Sequence, residues 1–233
     1  PNNILGTEYC RALLAAGSAI EPLPIPRVGG GYADTALFKD FSSATALRGA
    51  MRDGSRKAKK ALKNNLPPHV WRAALGYAPT PYEKAALAAL VAADEATIAR
   101  CPDCSEGLEN RLKSIARSTP AYDEMLKKVV SKRYTIARLK RILAQNFLKI
   151  TREAVQDFAE APLYYKTLAV RNSAAEEILS DLNGGAFPAV VRKSDFNKLT
   201  KSALECFLTD VRANDLYNVL TGVATNEYET KFV

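Results

Sequence analysis

The chain has 233 residues, 47% of them hydrophobic, enough for a buried core in one or two domains. Lysine and arginine total 33 against 25 aspartate and glutamate, and the formal charge of +8 suits a polyanionic partner. No apolar run reaches bilayer length and none reads as a signal peptide, so a membrane protein is not expected and a cytoplasmic location is.

The coarse pattern is mostly helical. The chain opens on Pro1 rather than Met, the start expected of a piece of a longer protein. Residues 5–17 read as a helix with its apolar residues on one face. Pro22, Pro24 and Pro26 make residues 20–28 an extended segment, at a sheet edge or in a loop. Residues 33–41 are a loop or turn. Residues 43–52 form a short helix stopped at Asp53-Gly54, residues 56–63 a second, and Pro67-Pro68 opens a third where proline is tolerated. Helices follow at 82–93, 95–99, 105–117, 122–130 and 134–149. Leu108, Leu112 and Ile115 recur there at i, i+4, i+7. Residues 163–170 and 187–191 are short β-type runs, and 173–182 and 196–220 are helical. The Pro/Gly-rich extended part stops near residues 52–55, which places a domain boundary there.

Three stretches carry candidate chemistry. Ser42-Ser43-Ala44-Thr45-Ala46-Leu47-Arg48 follows Val28-Gly29-Gly30-Gly31-Tyr32 and starts a helix. The unpaired N–H groups there, the hydroxyls of Ser43 and Thr45, and the Arg48 charge suit a phosphate. The same residues also suit a simple capped helix, which local spacing favours. Cys101-Pro-Asp-Cys104 has metal-knuckle or redox spacing, but no second such pair exists and His69 is the only histidine, so no metal site is expected. Charge is concentrated in two segments. Residues 111–152 carry twelve basic residues against Asp123 and Glu124, and residues 48–63 carry seven against Asp53. On a helical wheel, Ile136, Leu139, Leu143, Phe147 and Ile150 fall on one stripe and Tyr134, Arg138, Arg141, Gln145 and Arg152 on nearly the opposite one. A row of guanidiniums headed by an aromatic ring suits single-stranded loops of RNA, and equally a solvated helix face.

Five motifs then coincide in order and spacing. They are Pro1-Asn2-Asn3-Ile4-Leu5-Gly6; Arg27 before a Gly/Tyr turn; Ser43-Ala44-Thr45-Ala46-Leu47-Arg48; Glu106-Gly107-Leu108-Glu109-Asn110-Arg111; and Lys132-Arg133-Tyr134-Thr135 with Arg138-Leu139. With them the chain resembles, over essentially its whole length and more loosely after residue 151, the bacterial tRNA(Met) cytidine acetate ligases of the HxGH-type nucleotidyltransferase superfamily. The resemblance implies an ATP-dependent ligase that activates acetate as acetyl-adenylate and acetylates N4 of the wobble cytidine of elongator tRNA(Met). Adenylation asks for charge stabilisation on a triphosphate more than for an acid/base pair.

By matching position, Asn2, Arg27, Val28, Ser43, Thr45 and Arg48 would bind ATP with its Mg2+, and the helical part would meet tRNA; the basic segment makes Lys132, Arg133, Tyr134, Arg138 and Arg141 the candidate RNA face. The family's HxGH motif is not in this sequence. Its last motif reads Ile-Ser-Ser-Thr-x-Ile-Arg, whereas here Ser42 stands for the isoleucine and Ala44 for the second serine. The implied fold is mainly α: a helical C-terminal domain with short β segments over residues 54–233, preceded by the end of a Rossmann-like nucleotidyltransferase domain over 1–53. A chain of that kind is expected to be inactive alone. The alternatives are a relative that adenylates another small substrate and a stand-alone helical RNA-binding module.

Overall fold

Helices carry most of the chain. The computed structural model describes residues 2–31, 34–75, 80–223 and 231–232, with backbone only at 2 and 3, and divides into two compact units, Pro1–Pro79 and Thr80–Val233. Among the described residues no helix is long and apolar enough to cross a membrane.

The first unit begins with α1 (Asn2–Ala15), which turns off through Gly17 in the left-handed region. Its Ile4, Leu5, Tyr9 and Leu14 are all exposed, so the expected apolar face finds no core among the described residues. Residues 18–28 adopt no regular structure. Next come α2 (Ala44–Asp53), α3 (Arg56–Asn65) and α4 (Pro68–Leu75). α2 and α3 form a tight hairpin. Gly54 ends α2 with φ 63° and donates its N–H to the Ala50 carbonyl. Ser55 then caps α3, accepting from Ala58 N at 3.2 Å and donating to Asp53 at 2.8 Å. The hairpin closes on Ala50, Ala58 and Leu62, with Leu47, Met51, Leu66 and Trp71 against them. Small alanines at the contact let the helix axes approach. The boundary expected at residues 53/54 therefore falls inside this hairpin, between two helices that bury one another. Among the described residues, 2–53 hold no strand, so no remnant of a Rossmann-like sheet is seen there.

In the second unit, α5 (Tyr82–Ala92), α6 (Glu95–Ala99), α7 (Leu108–Ser118), α8 (Tyr122–Val129) and α9 (Ile136–Leu148) surround one core. Leu90, Ile98, Leu112, Met125, Ile142 and Leu143 are fully buried at its centre. α10 (Arg152–Glu160), α11 (Ala175–Asn183) and α12 (Lys201–Thr221) follow. Short strands pair in parallel: β1 (Tyr165–Lys166) with β3 (Ala189–Val190), and β2 (Ala169–Val170) with β4 (Lys231–Phe232). A smaller cluster of Val190, Phe207 and Val211 joins β3 to α12, with Phe196 edge-on to Phe207 at 5.2 Å.

Several elements differ from the sequence expectation for local reasons. α9 starts at Ile136 because Thr135 caps it, accepting from Arg138 N at 3.3 Å. Its buried stripe is Leu139, Ile142 and Leu143, whereas Ile136, on the first turn, is 48% exposed. Lys149 adopts φ 57° and stops the helix, so Arg152 belongs to α10 and not to the α9 stripe. α10 itself is not anticipated by the pattern. The 163–170 run splits into β1 and β2, and a 3-10 turn over Lys193–Lys198 precedes α12, whose cap is Thr200.

Candidate functional site

Ser43 is the cap of α2. Its Oγ accepts from Ala46 N at 3.0 Å and donates to the Asp34 carbonyl, and the residue is buried. A serine hydroxyl has a single proton to give, and here the protein takes it. The preceding loop is drawn in around that cap. The Arg27 guanidinium donates to the Gly30 carbonyl at 3.1 Å, Gly30 N donates to Phe41 O at 3.1 Å, and Gly31 N donates to the Asp34 carboxylate at 2.6 Å. Gly29 stands at φ 85° and a Cβ there would run into the Phe41 carbonyl oxygen, so the close approach needs glycine. On the far side, the Asn65 carboxamide of α3 accepts from Ser42 N at 2.6 Å and donates to Phe38 O at 3.2 Å. The cap is thus tied to both the loop and the hairpin.

Ser43's commitment leaves other polar groups open beside it. Thr45 and Arg48 are exposed and have no protein partner among the described residues. They lie three residues apart, hence on one side of the first turns of α2. The N–H groups of Ala44 and Thr45 are also unbonded there, at the positive end of the helix dipole. Ser43 is thus spent on the cap, while Thr45, Arg48 and two N–H groups beside it stay open. Val28 is exposed on the loop. The side chain of Asn2, and Tyr32, lie outside the described residues.

The second unit treats its arginines differently. Asp103 sits in the Cys101–Cys104 loop. Its carboxylate accepts from Arg141 Nε at 3.1 Å, Arg141 Nη2 at 2.8 Å and Gln145 Nε2 at 2.6 Å. The Arg141 fork holds that carboxyl below the usual range. Arg138 donates to the Asp103 carbonyl at 2.8 Å and to Ser105 Oγ at 2.7 Å, and Arg152 donates to the Cys104 carbonyl at 2.9 Å. Arg133 pairs with Glu106 at 2.5 Å. Glu106 adopts φ 65°, a left-handed conformation costly for a side-chain-bearing residue, and Gly107 follows at φ 77°. The two motifs Glu106–Arg111 and Lys132–Thr135 thus meet each other across this joint. Tyr134 packs half-buried against the core, with the Arg133 and Arg138 guanidiniums 5.9 and 5.4 Å from its ring centre. It is an internal stacking platform as it stands.

Of the five residues expected to meet RNA, Lys132 alone is exposed with no bond among the described residues. Elsewhere in the same charge run, Arg111 donates to Lys128 O, Lys113 to the Val91 and Ala93 carbonyls, Arg117 pairs with Glu95, and Lys128 donates to Thr119. The acids that balance the arginines come from outside α9, which counting charge along the helix misses.

The cysteine pair is core. Cys101 and Cys104 are buried, and burial pushes their thiols up to about 11 and about 12. Among the described residues no group of three or more His, Cys, Asp or Glu is placed to hold a metal. The thiolate is the reactive form. A maleimide at neutral pH should therefore label native protein fast at exposed Cys10 and reach Cys101 and Cys104 only after unfolding. Peptide mapping of the label checks this, and native labelling of Cys104 would contradict it.

A glycine loop closed onto a capped helix start leaves an exposed threonine and arginine beside it, with no partner among the described residues. The model of the HIGH Nucleotidyl Transferase family matches residues 1–231, and the chain belongs to that family. The tRNA(Met) cytidine acetate ligase of Clostridium kluyveri is 30% identical over 97% of this chain and 56% of its own length. The ligase of that name from Alkaliphilus metalliredigens is 30% identical over 93% and 53%. Among solved structures, apo TmcAL of Thermotoga maritima superposes with a TM-score of 0.80 at 26% identity, over 100% of this chain and 60% of that one. The form bound with alpha-thio ATP gives 0.78. The chain spans a little over half the length of the curated relatives it matches.

These matches agree with the family read from the five motifs. They also correct the expected fold. The family match runs unbroken over 1–231, so the chain is not a helical C-terminal domain preceded by the tail of a separate Rossmann-like one. The same span gives no support to the expectation that this stretch is inactive alone.

Proposed function

We propose that this chain works in an ATP-dependent ligase that modifies tRNA. ATP is held by its phosphates at the start of α2, acetate is the acid activated, and the wobble cytidine of elongator tRNA(Met) is the acceptor. The observation that carries the reading is the free Thr45–Arg48 seat beside the buried Ser43 cap, in a fold that matches TmcAL bound with alpha-thio ATP.

Arg27, Val28 and Asn2 are assigned to the nucleotide with Thr45 and Arg48, while Ser43 acts by fixing the helix start. Lys132 is assigned to RNA. Arg133, Arg138, Arg141 and Tyr134 act there by holding the joint that carries it. With no carboxylate cluster among the described residues, Mg2+ is taken to arrive on the triphosphate.

In the proposed reaction an acetate oxygen attacks the α-phosphorus and pyrophosphate leaves. The cytidine N4 then attacks the acetyl carbonyl, and AMP leaves. The intact protein should show acetate-dependent exchange of pyrophosphate into ATP and transfer labelled acetate to tRNA(Met). Exchange that requires a different carboxylic acid would replace acetate in this reading, and no exchange with any acid would end it.

A further inference from the structure

The basic segment of residues 48–63 is absorbed neither by the core nor by the nucleotide seat, apart from Arg48. α3 exposes Arg56, Lys57, Lys59, Lys60 and Lys63, and none has an acid or carbonyl partner among the described residues. At 100° per residue these five fall within about 160° of arc. Ala58 and Leu62, 1% and 2% exposed, lie on the opposite side. On α2, Thr45, Arg48 and Arg52 share one exposed face within about 60°, away from buried Ala46 and Ala50. Asp53 is the only acid in the segment, and it accepts from Ser55. Asn65 fixes α3 to the chain just ahead of the α2 cap, so this cationic face and the anion seat move together.

The second unit has the opposite character. Eight of the twelve basic residues between 111 and 152 are engaged with carbonyls, hydroxyls or acids of the protein itself. Counterion release needs free cations. We propose that the α2–α3 hairpin is a docking surface for the phosphate backbone of RNA, with Lys59, Lys60 and Lys63 as its centre. The inference rests on the tRNA reading above and places the backbone contact on the unit that carries the nucleotide seat. A basic amphipathic helix can also lie on a lipid surface, but it does so by inserting its apolar face. Here that face is already buried inside the hairpin.

The test replaces Lys59, Lys60 and Lys63 together with glutamine in the intact protein. Binding of a tRNA(Met) transcript is measured by filter retention across a series of KCl concentrations, with the melting temperature in parallel. The variant is expected to melt as the parent does, to bind about tenfold or more weakly at low salt, and to lose roughly 2 from the slope of log affinity against log salt. Arg138→Gln/Arg141→Gln is expected to lower the melting temperature and to keep the slope. A triple variant with parental affinity and slope overturns the proposal while leaving the tRNA reading intact. A parent that binds no tRNA ends both. If the triple substitution abolishes binding to phosphatidylserine vesicles but not to tRNA, the face belongs to lipid and the proposal falls.

Discussion

Arg48→Ala should weaken ATP binding by about ten- to a hundredfold, since one charge-assisted contact is worth about 1.5–3 kcal/mol and each 1.4 kcal/mol is a factor of ten. Arg48 is exposed and bonded to nothing among the described residues, so its removal leaves the fold alone. The melting temperature is therefore expected to stay at the parental value while the affinity falls. Arg48→Lys should recover part of the loss, because it keeps the charge but not the planar fork that grips two phosphate oxygens. Titration calorimetry of the intact protein with ATP reads both effects. Unchanged affinity in Arg48→Ala would remove Arg48 from the nucleotide site and leave Thr45 and the two N–H groups as an ordinary helix start.

The largest stability loss from a polar residue is expected at Lys113. It is 4% exposed, and its ammonium donates to the carbonyls of Val91, at 2.5 Å, and Ala93, at the C-terminal end of α5. A helix end presents unpaired carbonyls and partial negative charge, and a buried cation answers both. Lys113→Ala removes that cap and the stem beyond Cβ, which packs in the core. The expected cost is about 2–4 kcal/mol. For a chain of this size that is a fall in melting temperature of about 5–15 °C. Lys113→Met should fall between the two, since it restores the stem and not the charge. A scanning calorimeter separates the three proteins, and a parental melting temperature for Lys113→Ala would show that solvent or a neighbour caps α5 instead.

Most of the helices were legible because their ends are written in short-range chemistry. Ser43, Ser55 and Asp94 each stand where a side-chain oxygen accepts from an N–H three residues on. α10 escaped although that signal, Thr151 accepting from Ala154, is present: its apolar side is short, with Ala154 and Phe158 only half-buried and no residue fully buried. The proposed nucleotide seat was half legible. Ser43, Thr45 and Arg48 could be seen as one helix start, but which hydroxyl is spent on the cap depends on Asp34, which lies in a loop with no period to read. The partners of the guanidinium row were hidden for a related reason. Arg138 and Arg141 meet a loop 35 and 38 residues earlier in the chain, and helical spacing carries no information across that distance. The basic run on α3 looked less sharp than that row, yet it is the one whose charges the fold leaves to solvent.

The α5–α9 partnership has a consequence for how the protein is made. Leu90 of α5 is fully buried together with Leu143 of α9, and the helices between them are a closed excursion clasped near its base by Asp103. On the ribosome α5 emerges about fifty residues before its partner, which at ~5–20 residues per second is a wait of ~3–10 s. During that interval the apolar face of α5 has only α6, α7 and α8 to lean on. The second unit therefore reaches its native core late in synthesis, and a nascent chain stalled before residue 136 would present Leu87 and Leu90 to the chaperones that meet it.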